Sequence, residues 1–210
     1  MSISSFEVRV CLSCGLRYPL TEGHSFGIRC PHCLGETSIV LNKKMEGSEV
    51  AKETKNENKV VKAVLLDNIR SAWNVGSILR TADGFGFTNA YLCGITPTPE
   101  VDAVRKTALG AEEFITWSYH KDAAKLVKSL KLEGWKVGAL EEDQRAISIS
   151  QFPKSKSLGQ LVLMLGSEVT GVDPDLLDLA DYILYIPMRG KKRSFNVANA
   201  FSIAAYALDK

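Results

Sequence analysis

The most constraining feature of the chain is its final stretch, where a strand pattern, a basic loop and a helix pattern follow one another directly. Tyr182 to Ile186 is apolar enough for a buried strand, and Pro187 ends it because proline cannot donate to a sheet ladder. Arg189 to Arg193 then places four cations around Gly190. The helix pattern from Val197 to Leu208 is rich in Ala, Ser and Asn, so we expect it to be covered on more than one side.

The region before this stretch alternates between strand and helix patterns. Lys62 to Asp67 is a continuous apolar run, which suits a strand buried on both faces of a sheet. Further strands are expected at 90–93, 114–117, 135–140 and 161–165, and helices at 101–113 and 121–133. This alternation predicts an α/β fold with a doubly wound parallel sheet.

Overall charge and hydropathy exclude two broad classes. The net charge is only +2, so the chain is not a basic nucleic-acid coat, and any RNA contact must come from local clusters such as Arg189 to Arg193. No apolar run approaches the roughly 20 residues that span a bilayer, and Met1 to Arg9 lacks the pattern of a signal peptide. We therefore expect a cytoplasmic protein that has no membrane partner.

Four of the five cysteines form two C-x-x-C pairs near the N-terminus. They are Cys11, Cys14, Cys30 and Cys33. Zinc takes about four thiolate ligands in a tetrahedron, and two such pairs on a small sheet supply them. Disulfides are the alternative, but the cytoplasm keeps thiols reduced. The spacing predicts a structural zinc in a small ribbon.

The residues around the cysteine pairs leave two interpretations open. Arg17, Tyr18, His24, Phe26, Arg29 and His32 mix cations with rings that can stack on unpaired bases. Tyr18 and Phe26 equally suit the minimal core of a ribbon. After this module the sequence turns polar, which is typical of a linker. The expected domains are a zinc-ribbon-like module at 1–41, a linker at 42–60 and a main domain at 61–210.

The first helix of the main domain has an unusual outer face. Asn74 is placed to cap this helix, and Arg80 points away from its apolar side. The neighbours of Arg80 on that face are Gly76, Ser77 and Gly84. Glycine inside a helix costs about 1 kcal/mol relative to Ala, so the pattern indicates close approach by another backbone or a ligand. A lone solvated arginine is the alternative.

Three segments together resemble the motifs of the SpoU (TrmH) branch of the SPOUT RNA methyltransferases. The motif Asn-x-Gly-x-x-x-Arg-Thr-Ala is carried by Asn74, Gly76, Arg80, Thr81 and Ala82. The family motif Gly-Asn-Glu-Gly-x-Gly is matched at Gly166, Glu168 and Gly171, and departs from the family at Ser167 and Val169. The last motif is matched by Ile186-Pro187-Met188, Gly190 and Ser194-Phe195-Asn196-Val197, with Phe195 where the family has Leu.

The resemblance implies a fold, a cofactor and a reaction. The implied fold is a SPOUT-type α/β parallel sheet with a C-terminal trefoil knot, preceded here by the small zinc ribbon, and the implied assembly is a homodimer. The cofactor would be S-adenosyl-L-methionine, held by Leu165, Gly166, Ile186, Met188, Ser194, Phe195 and Asn196. The reaction would be methyl transfer to a ribose 2′-hydroxyl of tRNA or rRNA.

The resemblance also implies which residues line the reaction site. They are Asn74, Arg80, Glu168, Ser194 and Asn196. Because a guanidinium is effectively always protonated, we expect Arg80 to clamp a phosphate and stabilise the developing alkoxide. The hydroxyl proton would then pass to phosphate, to water or to Glu168.

Other functions stay open from the sequence. One is a base-methylating SPOUT enzyme, and another is a noncatalytic RNA-binding zinc protein. A dinucleotide enzyme is disfavoured, since Gly84-Phe85-Gly86 ends a helix pattern and has no third glycine. The acidic residues from Glu141 to Asp143 are expected to form a solvated turn, and the less favoured alternative is that they tune the site.

Overall fold

Two units make up the chain, Met1–Asn56 and Glu57–Lys210. The computed structural model describes residues 5–21, 28–44, 60–152 and 159–209. Most of the expected linker at 42–60, together with His24 and Phe26, lies outside the described residues. In the described part, no helix is long and apolar enough to cross a bilayer.

The N-terminal unit contains a small antiparallel sheet. Its strands are β1 (Ser5–Cys11), β2 (Arg17–Thr21) and β3 (Thr37–Lys44), in the order β2-β1-β3. β3 therefore continues to Lys44, into the segment expected to be linker. Arg9 is buried, and its Nε donates to Thr37 Oγ1 at 2.9 Å, which joins β1 to the start of β3.

The second unit is built on one parallel sheet of seven strands. The strands are β4 (Val61–Asp67), β5 (Asn89–Cys93), β6 (Thr116–His120), β7 (Lys136–Leu140), β8 (Ile147–Ser148), β9 (Gln160–Leu165) and β10 (Tyr182–Tyr185). Their order is β6-β5-β4-β9-β7-β10-β8, and every paired strand runs parallel to its neighbour. The predicted α/β class is confirmed, whereas β8 was not predicted. The trefoil knot stays a prediction.

Helices cover both faces of the sheet. They are α1 (Ala72–Gly84), α2 (Asp102–Ala108), α3 (Ala123–Leu132), α4 (Pro174–Leu179) and α5 (Val197–Leu208). Buried side chains of α1, α2 and α5 share one apolar core, and those of α3 and α4 share the other. The helix expected at 101–113 is divided, because Leu109 and Gly110 have positive φ before a short 3-10 helix, Ala111–Glu113.

α5 is fixed to the rest of the unit at several points. Phe201 is fully buried, with its ring centroid 5.2 Å from that of Phe87. Ser202 Oγ lies 3.2 Å from the hydroxyl of Thr81 on α1. Beyond the last turn, Asp209 accepts a 2.7 Å bond from the buried ammonium of Lys62 on β4. These contacts hold the middle and the C-terminal end of α5 against α1 and the sheet.

The start of α1 differs from the expectation. Ser71, not Asn74, is the N-cap residue, and its hydroxyl accepts from the backbone N–H of Asn74 at 3.3 Å. The prediction that Asn74 caps the helix is therefore wrong. Ser71 adopts the extended conformation of a cap, so Asn74 falls in the first helical turn and its side chain is free for other contacts.

The two glycines of α1, Gly76 and Gly84, have different surroundings. A Cβ atom at Gly76 would overlap Thr107 Oγ1 and the carbonyl oxygen of Val104 on α2. Gly84 has nothing within 4 Å of the same hypothetical atom. The expected close approach therefore exists at Gly76, and it is made by the backbone of α2.

Replacing Gly76 with Ala should lower the free energy of unfolding by about 1–3 kcal/mol, because the backbone of α2 must move to admit the methyl group. Gly84→Ala is the matched control on the same helix and should stabilise the protein by about 0.5–1 kcal/mol. Urea unfolding followed by circular dichroism measures both. Equal effects of the two substitutions would contradict the close packing of α1 on α2.

Candidate functional site

An open cavity of about 1170 Å³ lies where three neighbouring strands end. Leu140 ends β7, Leu165 ends β9, and Leu184 and Tyr185 close β10, and all four line the cavity. Ligands of open α/β sheets bind at this edge, because the loops that follow the carboxyl ends of parallel strands leave a crevice there. The volume is ample for a nucleoside-sized ligand, since small-molecule pockets measure about 300–1,000 Å³.

All of the residues expected to hold the cofactor line this one cavity. They are Leu165, Gly166, Ile186, Met188, Ser194, Phe195 and Asn196. They come from two separate segments, the end of β9 with the loop after it and the loop between β10 and α5. Apolar side chains and glycine backbone suit an adenosine with a sulfonium group, which has no phosphates to neutralise. The side chains present therefore fit S-adenosyl-L-methionine.

The carboxylate of Glu168 joins the loop after β9 to the start of α1. Its Oε2 accepts from the backbone N–H of Arg70 at 2.9 Å. Its Oε1 accepts from the N–H of Ser71 at 3.2 Å and from the side-chain amide of Asn74 at 2.8 Å. β4 and β9 are paired, so the segments that follow them emerge side by side. A negative charge here also suits the positive end of the α1 dipole.

These contacts decide the charge state of Glu168. Partial burial alone would raise the pKa of its carboxyl, but the N–H donors of Arg70, Asn74 and Ser71 outweigh it and hold that pKa below the ordinary 4.5. Glu168 is therefore a carboxylate at neutral pH. With three donors already bound, it is a poor proton acceptor, so the geometry favours a positioning role over that of a base.

Asn74 extends the connection from α1 to α5. Its Oδ1 accepts from the side-chain amide of Asn196 at 3.1 Å. Asn196 is the N-cap of α5, and its Oδ1 accepts from the N–H of Ala198 at 3.0 Å. The structure thus brings three of the expected reaction-site residues, Glu168, Asn74 and Asn196, into one hydrogen-bonded chain.

Arg80 and Ser194 are placed differently from those three. Ser194 lines the cavity and is exposed. Arg80 is exposed on α1 and is not among the residues that line the cavity. Within the described residues, its guanidinium has no hydrogen bond or ion pair. The arginine therefore has free donors, but the single chain does not bring it into the cavity.

Sequence reasoning missed the part that Glu141 and Glu142 play in the cavity wall. Both line the cavity, although they were expected to form a solvated turn. The carboxylate of Glu141 accepts from the backbone N–H of Val172 at 2.8 Å. Their position directly after β7 was the available signal, since the carboxyl end of a parallel strand is where ligand-binding loops begin.

The four expected metal ligands cluster in the N-terminal unit. The Sγ atoms of Cys11, Cys14, Cys30 and Cys33 all lie within 4.8 Å of one another. The Cys11 and Cys33 sulfurs are 3.4 Å apart and the Cys14 and Cys30 sulfurs 3.7 Å apart, close to the roughly 3.8 Å of a tetrahedral zinc with 2.3 Å bonds. The backbone N–H of Cys14 also donates to the Cys11 sulfur at 3.4 Å. The cluster fits a structural zinc.

The fold and the cavity define a class, that of α/β proteins with a ligand pocket at the carboxyl edge of a parallel sheet. The chain belongs to the SpoU rRNA Methylase family, whose sequence profile matches residues 62–206. The N-terminal cysteine module lies outside that match.

Two relatives resemble the chain in sequence. The tRNA (guanosine(18)-2'-O)-methyltransferase of Thermus thermophilus is 31% identical over 145 residues, which are 68% of this chain and 71% of that protein. The 23S rRNA (guanosine(2553)-2'-O)-methyltransferase RlmP of Bacillus subtilis is 32% identical over 147 residues, or 70% of this chain and 57% of that protein. The chain thus spans most of the Thermus protein and little more than half of the Bacillus one.

A solved structure shows the same fold. The crystal structure of an AdoMet-bound rRNA methyltransferase from Sinorhizobium meliloti superimposes with a TM-score of 0.66 at 24% identity. The match covers 70% of this chain and 55% of that one. The likeness shows that the main unit has the same fold as that protein.

Glu168→Gln should lower the free energy of unfolding at pH 7 by about 1 kcal/mol, a modest loss because the side chain is partly in solvent. Because the pKa of Glu168 is lower in the folded chain than in the unfolded one, its carboxylate stabilises the folded protein above pH 4.5. This contribution is lost as the pH falls through the pKa that Glu168 has in the folded protein. The difference between wild type and variant should therefore shrink from pH 5 to pH 3. Denaturant unfolding across that range tests this, with exposed Glu113→Gln as the control. A constant difference would contradict the role given to the carboxylate.

The purified chain should contain about one zinc ion, and Cys14→Ser should lose it, since a structural zinc needs four ligands. Cys93→Ala is the control, because Cys93 is buried on β5 and is not one of the clustered cysteines. Metal analysis by mass spectrometry and the thiolate bands of a cobalt-substituted sample report the occupancy. Zinc content that is unaffected by Cys14→Ser would rule out this ligand set.

Proposed function

We propose that the chain is an S-adenosylmethionine-dependent RNA ribose 2′-O-methyltransferase that acts on tRNA or rRNA. The observation that carries this proposal is the convergence of all the expected cofactor residues on one cavity, beside the chain formed by Glu168, Asn74 and Asn196. Family membership and relatives named as guanosine 2'-O-methyltransferases of tRNA and 23S rRNA support the same reaction.

Leu165, Ile186, Met188 and Phe195 would hold the adenosine by apolar contact. When bound, S-adenosyl-L-methionine supplies an electrophilic methyl group. The protein then contributes mainly by positioning, which is worth several orders of magnitude in rate. Ser194 and Asn196, at the N-terminal end of α5, orient the acceptor hydroxyl.

Proton removal does not fall to Glu168, because its lone pairs already accept three N–H donors and its pKa is depressed. The guanidinium donors of Arg80 are uncommitted but lie outside the cavity wall of their own chain, so Arg80 would bind an RNA phosphate and the developing oxyanion of the ribose where a second copy of the chain brings it to the site. The proton of the 2′-hydroxyl passes to that phosphate or to water.

RNA binding is assigned to the basic loop between β10 and α5. Arg189, Lys191, Lys192 and Arg193 are all exposed, and Lys192 and Arg193 also line the cavity. Cations at the rim of the donor pocket would contact the phosphates that flank the acceptor ribose. This supports RNA as the partner. A cytoplasmic location, where tRNA and rRNA are available, is part of the proposal.

A homodimer and a knotted C-terminus complete the proposal. α5 buries one side, but Ile203 on this helix and Phe195 just before it are 37% and 41% exposed, and Trp73 at the start of α1 is 62% exposed. Large exposed apolar side chains often mark a protein interface. A second copy of the chain would cover them and would give α5 the second packing surface that its small residues suggest.

Arg80→Ala should reduce methyl transfer about 100-fold or more, because losing one hydrogen-bond donor to an oxyanion has about that effect on the rate. Binding of S-adenosylmethionine should persist. Lys128→Ala on α3, which removes one charge on the opposite face of the sheet, is the control and should keep full activity. Transfer of labelled methyl to RNA measures the rate, and calorimetry measures donor binding.

The same assay separates the alternatives. Digestion of the product RNA to nucleosides should place the label on ribose. Label on a base would indicate a base methyltransferase, and a protein that binds no donor would be a noncatalytic RNA-binding protein. An Arg80→Ala variant with normal turnover would remove Arg80 from the mechanism.

A further inference from the structure

Glu141 ties together the ends of three strands that surround the cavity. Its backbone N–H donates to the carbonyl of Leu184 on β10 at 2.9 Å, although Glu141 itself follows β7. Its Oε2 accepts from the N–H of Val172, in the loop after β9, at 2.8 Å. Its Oε1 accepts from the N–H of Glu142 at 3.0 Å. Both carboxylate oxygens therefore accept backbone donors.

Two glycines make this arrangement close-packed. Gly171 has a φ of +73°, and a Cβ atom there would overlap the carboxylate of Glu141. On the other side, a Cβ atom at Gly166 would overlap the Gly171 carbonyl group and the nitrogen of Val172. The peptide between residues 171 and 172 is thus held between the backbone of Gly166 and the carboxylate of Glu141. Gly166, at the start of the loop, is one of the expected cofactor residues and lines the cavity.

The loop after β9 is consequently held at two points, each by the hydrogen bonds of a carboxylate. Glu168 fixes its tip to α1, and Glu141 fixes its return at Val172 to the end of β7. Because this loop is held at two points, it does not have to become ordered when a ligand binds. Such preorganisation raises affinity by lowering the entropy cost of binding.

We propose that Glu141 is a positioning residue for the methyl donor: by accepting the N–H groups of Val172 and Glu142, it sets the wall of the pocket against which the donor binds. The proposal rests on the proposed function, since it names S-adenosylmethionine as the ligand. Glu141 takes no part in bond making, and no proton moves at it. The proposed function assigns RNA binding to the basic loop between β10 and α5, so RNA affinity should not depend on Glu141.

Glu141→Gln is the decisive variant because it keeps the shape of the side chain but leaves only one acceptor oxygen for two N–H donors. Losing a hydrogen bond to a charged acceptor should weaken donor binding about tenfold and raise the donor KM by a similar factor. The KM for RNA and the kcat at saturating donor should stay near wild type. Gly171→Ala disturbs the same contact from the opposite side and should give the same pattern.

Asp143→Asn is the matched control. It removes one charge from the same acidic turn, and Asp143 bonds to Arg145 rather than lining the cavity. It should leave donor affinity and activity unchanged. All assays are done well below the unfolding temperature of each variant, as shown by circular dichroism. Normal donor affinity in both Glu141→Gln and Gly171→Ala, or an equal loss in Asp143→Asn, would overturn the proposal.

Amide hydrogen exchange without any ligand separates this proposal from the proposed function. In Glu141→Gln at least one of the N–H groups of Val172 and Glu142 should exchange about tenfold faster, because one of them loses its acceptor. If wild type binds no S-adenosylmethionine, the proposed function fails, whatever the exchange result. If the exchange of Val172 and Glu142 is unaltered, the positioning role of Glu141 fails even when wild type is an active enzyme.

Discussion

The candidate site depends on one interaction at the carboxyl edge of the sheet, in which the backbone at the start of α1 and Asn74 hold the carboxylate of Glu168. It connects segments that are nearly 100 residues apart in the chain, since its contact with Arg70 spans 98 residues. Through Asn74 the same connection reaches Asn196 and the start of α5. The loop after β9, the first helix and the last helix are therefore positioned as one unit.

The parallel sheet explains why these segments meet. β9 is inserted between β4 and β7, so the loop that follows it emerges between the segment that leads to α1 and the turn that contains Glu141. Charged groups on each side can then bond to backbone N–H groups of neighbouring loops. Such bonds are shorter and stronger than neutral ones, which suits a wall that must keep its shape while the ligand comes and goes.

Much of this was predictable from residue patterns. The alternation of apolar runs and helix patterns gave the α/β class, and Cys11 to Cys33 have the spacing of a metal cluster that the structure brings together. The motif resemblance selected seven residues that line one cavity. Local patterns are informative in these cases because burial on both faces and metal ligation each impose a characteristic spacing.

Other features depended on contacts between distant segments. Asn74 satisfied the composition rule for a cap, but Ser71 occupies that position, and the freed amide bonds to Glu168 instead. Glu141 looked like part of a solvated turn because its partner, Val172, lies 31 residues away. Side-chain composition cannot reveal which backbone N–H groups the fold will bring to a carboxylate. The same limit applies to Arg80, whose role depends on what approaches its exposed face.

The central claim is that the cavity at the ends of β7, β9 and β10 binds the methyl donor. The most direct measurement is a crystal structure of the chain grown with S-adenosylmethionine or its demethylated product. The bound adenosine should lie against Leu165, Met188 and Phe195, and the loop from Gly166 to Val172 should be unmoved. A donor bound at another place, or a loop rebuilt around it with the contacts of Glu168 broken, would contradict the account.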